Sequence, residues 1–147
     1  MNDRYLYKAK RKHDSKFFKK GEWVEGAYYI EPYTDKLFII QWNSTGLGFN
    51  EFIEVDEESV CQCTGLTDKN GKLIWENDIV KATVRQNSLC QSSSYSDFYQ
   101  ISYQEKYCYF YLKKKNNNLL FDGNWSYYLK SIEVIGNIFD NPELMNE

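Results

Sequence analysis

The chain of 147 residues is long enough for one ordinary domain or two very small ones, and its 18% aromatic content, with 13 Tyr, 9 Phe and 4 Trp, favours strands, because flat rings pack well on a pleated, half-buried surface. No apolar run reaches the ~20 residues of a membrane span and the amino end lacks the apolar core of a secretory signal, so a soluble, cytoplasmic protein is expected. The net charge of -3 hides an asymmetry: residues 1–20 hold eight Lys or Arg against two Asp, leaving ten against nineteen acids in residues 21–147.

In chain order, RYLYKAK sets Tyr5, Tyr7 and Ala9 against Leu6, Lys8 and Lys10, a period of two that argues a half-exposed strand. The charged stretch HDSKFFKKGE reads as a loop and contains His13, the sole histidine. WVEGAYYI (residues 23–30) and LFIIQW (residues 37–42) flank EPYTDK, whose Pro32 and Asp35 suit a turn, so this pair is predicted to be an antiparallel hairpin. NSTGLG breaks the pattern and FIEV (residues 52–55) supplies another strand. Asp56, before Glu57, Glu58 and Ser59, can cap a single helical turn with acids near its positive end.

The character changes at Cys61. Gly65 and Leu66 lead into Asp68-Lys69-Asn70-Gly71, where Asn-Gly predicts a type I′ turn with its two positive φ angles. A short strand over residues 72–75 ends in Trp75. Glu76-Asn77-Asp78 then turns the chain into a longer strand that begins Ile79-Val80. Asp78 can accept hydrogen bonds from nearby backbone N–H groups while Ile79 enters the core, which makes the acid structural.

The run CTGLTDKNGKLIWENDIVK resembles the signature of the YopX family of phage and prophage proteins, approximately Thr-Gly-Leu-x-Asp-x-Asn-Gly-x-x-Ile-aromatic-Glu-Gly-Asp-Ile-Val. GEWVEGAYY in the first half and IEVIGNIFDNPEL near the end, with Gly136 and Asn137, are similar to that family as well, so the resemblance covers most of the chain. One departure is Asn77, where the family commonly has glycine; asparagine is the residue after glycine that best tolerates a left-handed backbone. The resemblance implies a mainly β protein, an N-terminal antiparallel region over residues 1–60 followed by a C-terminal SH3-like barrel over residues 61–147. It implies no biochemical activity.

Beyond the motif, RQNSLCQSSSYSD (residues 85–97) is rich in Ser and Gln and is expected to be a hairpin loop of about a dozen residues, longer than most connections. FYQISYQ and KYCYFYLKKK form the next predicted strand pair, with Tyr107, Tyr109 and Tyr111 on one side and Cys108, Phe110 and Leu112 on the other. LLFDGNWSYYLKSIEVIGNIF returns in two or three strands, with Asp122-Gly123 as a turn and residues 132–139 closing the sheet. Asn141-Pro142-Glu143 has the order of a helix cap and first turn.

No catalytic residue, metal or cofactor is assigned. His13 alone supplies a general base of the commonest kind, and Cys61, Cys63, Cys90 and Cys108 lack the paired Cys-x-x-Cys or Cys/His spacing of a zinc site, so they are expected to be reduced and structural. The expected function is that of a non-enzymatic protein-interaction module, its partner a host or phage protein, with self-association as an outlet for strands apolar on both faces. The alternative is a nucleic-acid-binding accessory protein that uses Lys10, Arg11 and Lys12 together with Lys113, Lys114 and Lys115.

Overall fold

The computed structural model describes residues 3–41, 50–88, 91–114 and 131–146. Lys115, Cys90, the NSTGLG break and the returning segment with Asp122-Gly123 lie outside the described residues. The molecule is mainly β, with ten described strands in two antiparallel sheets, and its chain divides into two compact units, Met1–Cys63 and Thr64–Glu147. Among the described residues the strand pairing does not close either sheet into a barrel.

In the first unit, β1 (Tyr7–Lys10), β2 (Trp23–Ile30), β3 (Leu37–Gln41) and β4 (Glu51–Glu54) follow one another in the sheet, and the start of β5 (Cys61–Thr67) pairs with β1 on the other side. The hairpin over residues 23–41 forms in the predicted place, with Ile30 opposite Leu37 and Ala27 opposite Ile40. Period-two alternation sorts the sheet into two faces. Ala9, Val24, Leu37, Ile39, Ile53 and Val55 are buried together on the inner face, and each large one contributes about 1.5–3 kcal/mol by leaving water. Gly26 lies where β2 and β3 are so close that a Cβ would stand 2.2 Å from the Ile40 carbonyl oxygen. The Asp56 carboxylate accepts the Glu58 N–H at 3.3 Å and caps the short 3-10 turn Glu57–Ser59, as its position in the sequence implies.

In the second unit, the rest of β5 forms a hairpin with β6 (Leu73–Trp75), and β7 (Asp78–Ser88), β8 (Gln91–Gln104), β9 (Tyr109–Lys113) and β10 (Glu133–Asn137) make a sheet in the order β10-β7-β8-β9. Its core is Ile74, Val80, Ala82, Tyr99, Ile101, Leu112 and Ile132, all fully buried, with Leu66, Phe110 and Val134 packed against them. The carboxy-terminal strand closes onto β7 as an edge, through an irregularity between Val134 and Gly136.

Four local expectations are corrected. The β5–β6 turn is not type I′: Gly71 has φ 80, but Asn70 has no positive φ, and the Gly71 N–H bonds to Asp68 O at 3.0 Å. This is a type I turn followed by a left-handed glycine, favoured because the Asp68 carboxylate accepts the Asn70 and Lys72 N–H groups across it. Residues 85–88 and 91–97 are not a loop. They belong to a two-stranded ribbon in which β7 and β8 stay paired from Ile79 opposite Gln100 to Ser88 opposite Gln91, because an antiparallel ladder satisfies backbone groups even where no apolar alternation marks it.

Tyr107 and Cys108 precede the next strand instead of belonging to it. Glu105–Tyr107 is a 3-10 turn ended by Cys108 in the left-handed region, at φ 54, while Leu112 is buried and Phe110 packs on the core as the alternation implies. The terminal turn Pro142–Met145 is likewise 3-10, and the side chain of Asn141 makes no cap bond; its Oδ1 accepts the Asn137 N–H at 3.4 Å instead.

Candidate functional site

The motif residues are tie points of the backbone. Asp68, buried at the end of β5, accepts from Asn70 N–H at 2.8 Å and Lys72 N–H at 3.0 Å with Oδ1, and from Val134 N–H at 3.0 Å with Oδ2. Burial pushes its carboxyl up, but the three N–H groups and the Lys72 charge outweigh this and hold it below the usual carboxylate range. Beside it the Lys69 N–H donates to Ile132 O at 3.0 Å, and its ammonium pairs with Glu133. The β5–β6 turn is thereby latched to the start of β10.

A second latch centres on Asn77, whose φ of 65 places it in the left-handed region, which asparagine tolerates better than most residues with a Cβ. Its N–H donates to Ile101 O at 2.7 Å, its O accepts from Ile138 N–H at 3.0 Å, and its Oδ1 accepts from the Gln100 amide at 2.9 Å. Asp78 accepts the Trp75 N–H at 2.9 Å and Ile79 is fully buried, as the sequence implies. Asn137 Oδ1 takes the N–H groups of Phe139 and Asp140, each at 3.0 Å, and Gly136 leaves room for Asn141, whose Oδ1 would stand 2.5 Å from a Cβ there. Gly65 has φ 75 and lies in β5, Leu66 and Val80 join the core, and Trp75 is buried. The motif holds the second unit together, and the spacing of its residues gives no hint of the long-range partners.

The basic residues singled out in the sequence are placed in both units, Lys10, Arg11 and Lys12 in the first and Lys113 and Lys114 in the second. Lys8 and Lys10 lie 5.1 and 5.3 Å from the Trp23 ring centroid. Arg11 is not an exposed contact: it is 5% exposed, its guanidinium 4.3 Å from the Phe18 ring centroid. The Lys12 ammonium and His13 Nε2 turn to Glu54, at 3.3 and 3.4 Å, and Lys36 joins them at 3.3 Å. Burial pushes the Glu54 carboxyl up, and Lys12 and Lys36 more than reverse it. Lys114 is engaged with Asp97. Lys113 is half-buried at the end of β9.

The outer face of β2, β3 and β4 carries rings that composition announced but did not locate. Tyr29 lies 6.3 Å from Phe38 and 5.8 Å, edge-on, from Phe52, with Ile40 opposite Phe52 on the same face. Phe52 is 56% exposed and Tyr29 37%. Elsewhere, Cys61 and Cys63 are buried thiols, Cys108 is an exposed one, and among the described residues no group of three or more His, Cys, Asp or Glu is placed to hold a metal ion. Among the described residues no helix is long and apolar enough to cross a membrane.

Residues 7–146 match the family described as YopX protein, which spans nearly the whole chain and both latches. The chain belongs to the YopX family. Its fold is similar to the crystal structure of protein EF1440 from Enterococcus faecalis, at 23% identity over 96% of each chain with a TM-score of 0.50. That identity speaks for the fold alone. No curated protein sequence matches this YopX-family chain.

Proposed function

We propose that this YopX-family chain is a non-enzymatic protein-interaction module acting in the cytoplasm of a phage-bearing bacterial host, and that it docks a partner protein on the outer face of β2, β3 and β4. The observation that carries this reading is the cluster of Tyr29, Phe38 and Phe52, in which the Tyr29 ring meets both of the others on the face opposite the core. Exposed aromatic clusters are costly to leave in water, and aromatic anchors dominate protein interfaces. Glu25, exposed on the same face, stands opposite Lys8, so this face carries both signs of charge beside its rings, as protein interfaces do. The resemblance to phage and prophage proteins supports the setting. It also supports an SH3-like arrangement for residues 61–147, with Leu66 and Ile74 of the β5–β6 hairpin in one core with β7, β8 and β9.

Affinity capture with wild type and with Phe52→Glu tests the reading. A partner recovered in stoichiometric amount with wild type and lost with Phe52→Glu supports it, provided the variant keeps the wild-type melting profile. Light scattering on the same samples tells a second copy of the chain from another protein. Equal capture by both proteins, or none by wild type, overturns it.

A further inference from the structure

We propose that the β1–β2 hairpin, residues 8–23, binds single-stranded nucleic acid along a run of rings that each carry a cation. Four such pairs fall in this short stretch: Lys8 and Lys10 at 5.1 and 5.3 Å from Trp23, Arg11 at 4.3 Å from Phe18, and Lys16 at 5.4 Å from Phe17; Lys8 and Arg11 are buried and only support their rings, which leaves Lys10, Lys16, Lys19 and Lys20 to meet phosphates. The tip is a defined turn. Ser15 N–H donates to Phe18 O at 2.8 Å, and Phe18 N–H donates to Ser15 Oγ at 3.2 Å.

That turn presents Phe17 at 79% exposure, with Phe18 at 44% behind it on the buried Arg11. Residues 8–23 hold seven Lys or Arg and two acids, Glu22 and Asp14, and the Asp14 Oδ1 accepts the Lys20 N–H at 2.8 Å. Lys16, Lys19 and Lys20 are exposed around the rings. Residues 24–147 are acidic overall and repel a polyanion, which favours contact at this hairpin.

The distribution of the rings along the hairpin selects the ligand. They run from Trp23 at the base of the hairpin to Phe17 at its tip, each beside a cation, which suits a strand that repeats base and phosphate along its length. A lipid surface would reward rings gathered at the tip alone. Exposed rings stack only on unpaired bases, so single strands are preferred to duplex.

The test is fluorescence anisotropy of a labelled oligothymidylate of about 15 nucleotides, within the range of one small β-domain site, with the full chain. Three phosphate contacts would weaken binding about 20-fold for a fourfold rise in salt. Phe17→Ala should weaken it roughly 5- to 100-fold through lost stacking. Lys19→Gln with Lys20→Gln should lower both affinity and salt dependence; these side chains are exposed, so the fold, followed by circular dichroism, survives both changes. Absence of binding by wild type at low salt overturns the proposal. So does unchanged affinity in Phe17→Ala, equal affinity for the matching duplex, or binding of phosphatidylserine vesicles without binding of the oligonucleotide.

Discussion

The Val134 N–H donates to Asp68 Oδ2 at 3.0 Å, joining two residues 66 positions apart. The same carboxylate shapes the β5–β6 turn through Asn70 and Lys72, so one side chain couples a local turn to the placement of the carboxy-terminal strand.

Removing that acceptor strands three N–H groups. Hydrogen bonds to a charged group are each worth about 1.5–3 kcal/mol and do not add fully, so Asp68→Ala is expected to cost about 3 kcal/mol and Asp68→Asn about half of that. Urea unfolding at neutral pH measures both. A loss under about 0.5 kcal/mol for Asp68→Ala would contradict the latch.

Acid should weaken the fold through the same group. Asp68, Glu54 and Asp97 are all held below the ordinary carboxylate range; in each, burial opposes the shift, and backbone N–H groups or lysine partners win. A depressed folded value means that the stabilisation is present above the unfolded value of about 4 and is lost as pH falls through the lower folded values. Stability should therefore be level between about pH 7 and 5 and fall below about pH 4. Asp68→Asn should flatten that acid limb, and an unchanged limb would remove Asp68 as its source.

Asn77 separates backbone strain from side-chain bonding. Asn77→Gly relieves the left-handed φ of 65 but loses the bond from Gln100, two effects of about 1 kcal/mol with opposite sign, so the net change should stay within about 1 kcal/mol. Asn77→Val meets the full left-handed penalty with a branched Cβ and should cost about 2 kcal/mol or more. Thermal melts of the two variants should diverge; coincident melts would refute the assignment.

Two glycines offer a matched pair. A Cβ at Gly26 would meet the Ile40 carbonyl at 2.2 Å, so Gly26→Ala must push β2 and β3 apart at a cost of about 3 kcal/mol. Gly71 faces open space, and Gly71→Ala should cost only the left-handed penalty of about 1–2 kcal/mol. Hydrogen exchange should show the Gly26→Ala loss in Met1–Cys63 and the Gly71→Ala loss in Thr64–Glu147. The reverse pattern would show that these contacts do not carry the stability.

Period and turn chemistry are local, and that is why so much of the fold is legible from residues alone. The Trp23–Ile30 and Leu37–Gln41 hairpin, the Asp56 cap and the burial of Ile79 all follow from neighbours within a few positions, whereas the left-handed Asn77 follows from the resemblance to the family. The family also follows from short blocks in order. The β7–β8 ribbon left no such mark, because its order comes from backbone pairing between strands whose Ser and Gln residues show no apolar period.

For the sites, sequence determined which residues are basic, aromatic or turn-forming, and tertiary structure decided what each meets. Arg11 and Lys12 look alike on paper, yet one is buried beneath Phe18 and the other turns to Glu54. Asp68 looks like a turn residue and becomes a long-range latch only when β10 arrives beside it. A side chain's type is set by its codon, but its partner is set by which distant strand the folded chain brings within about 3 Å of its polar atoms.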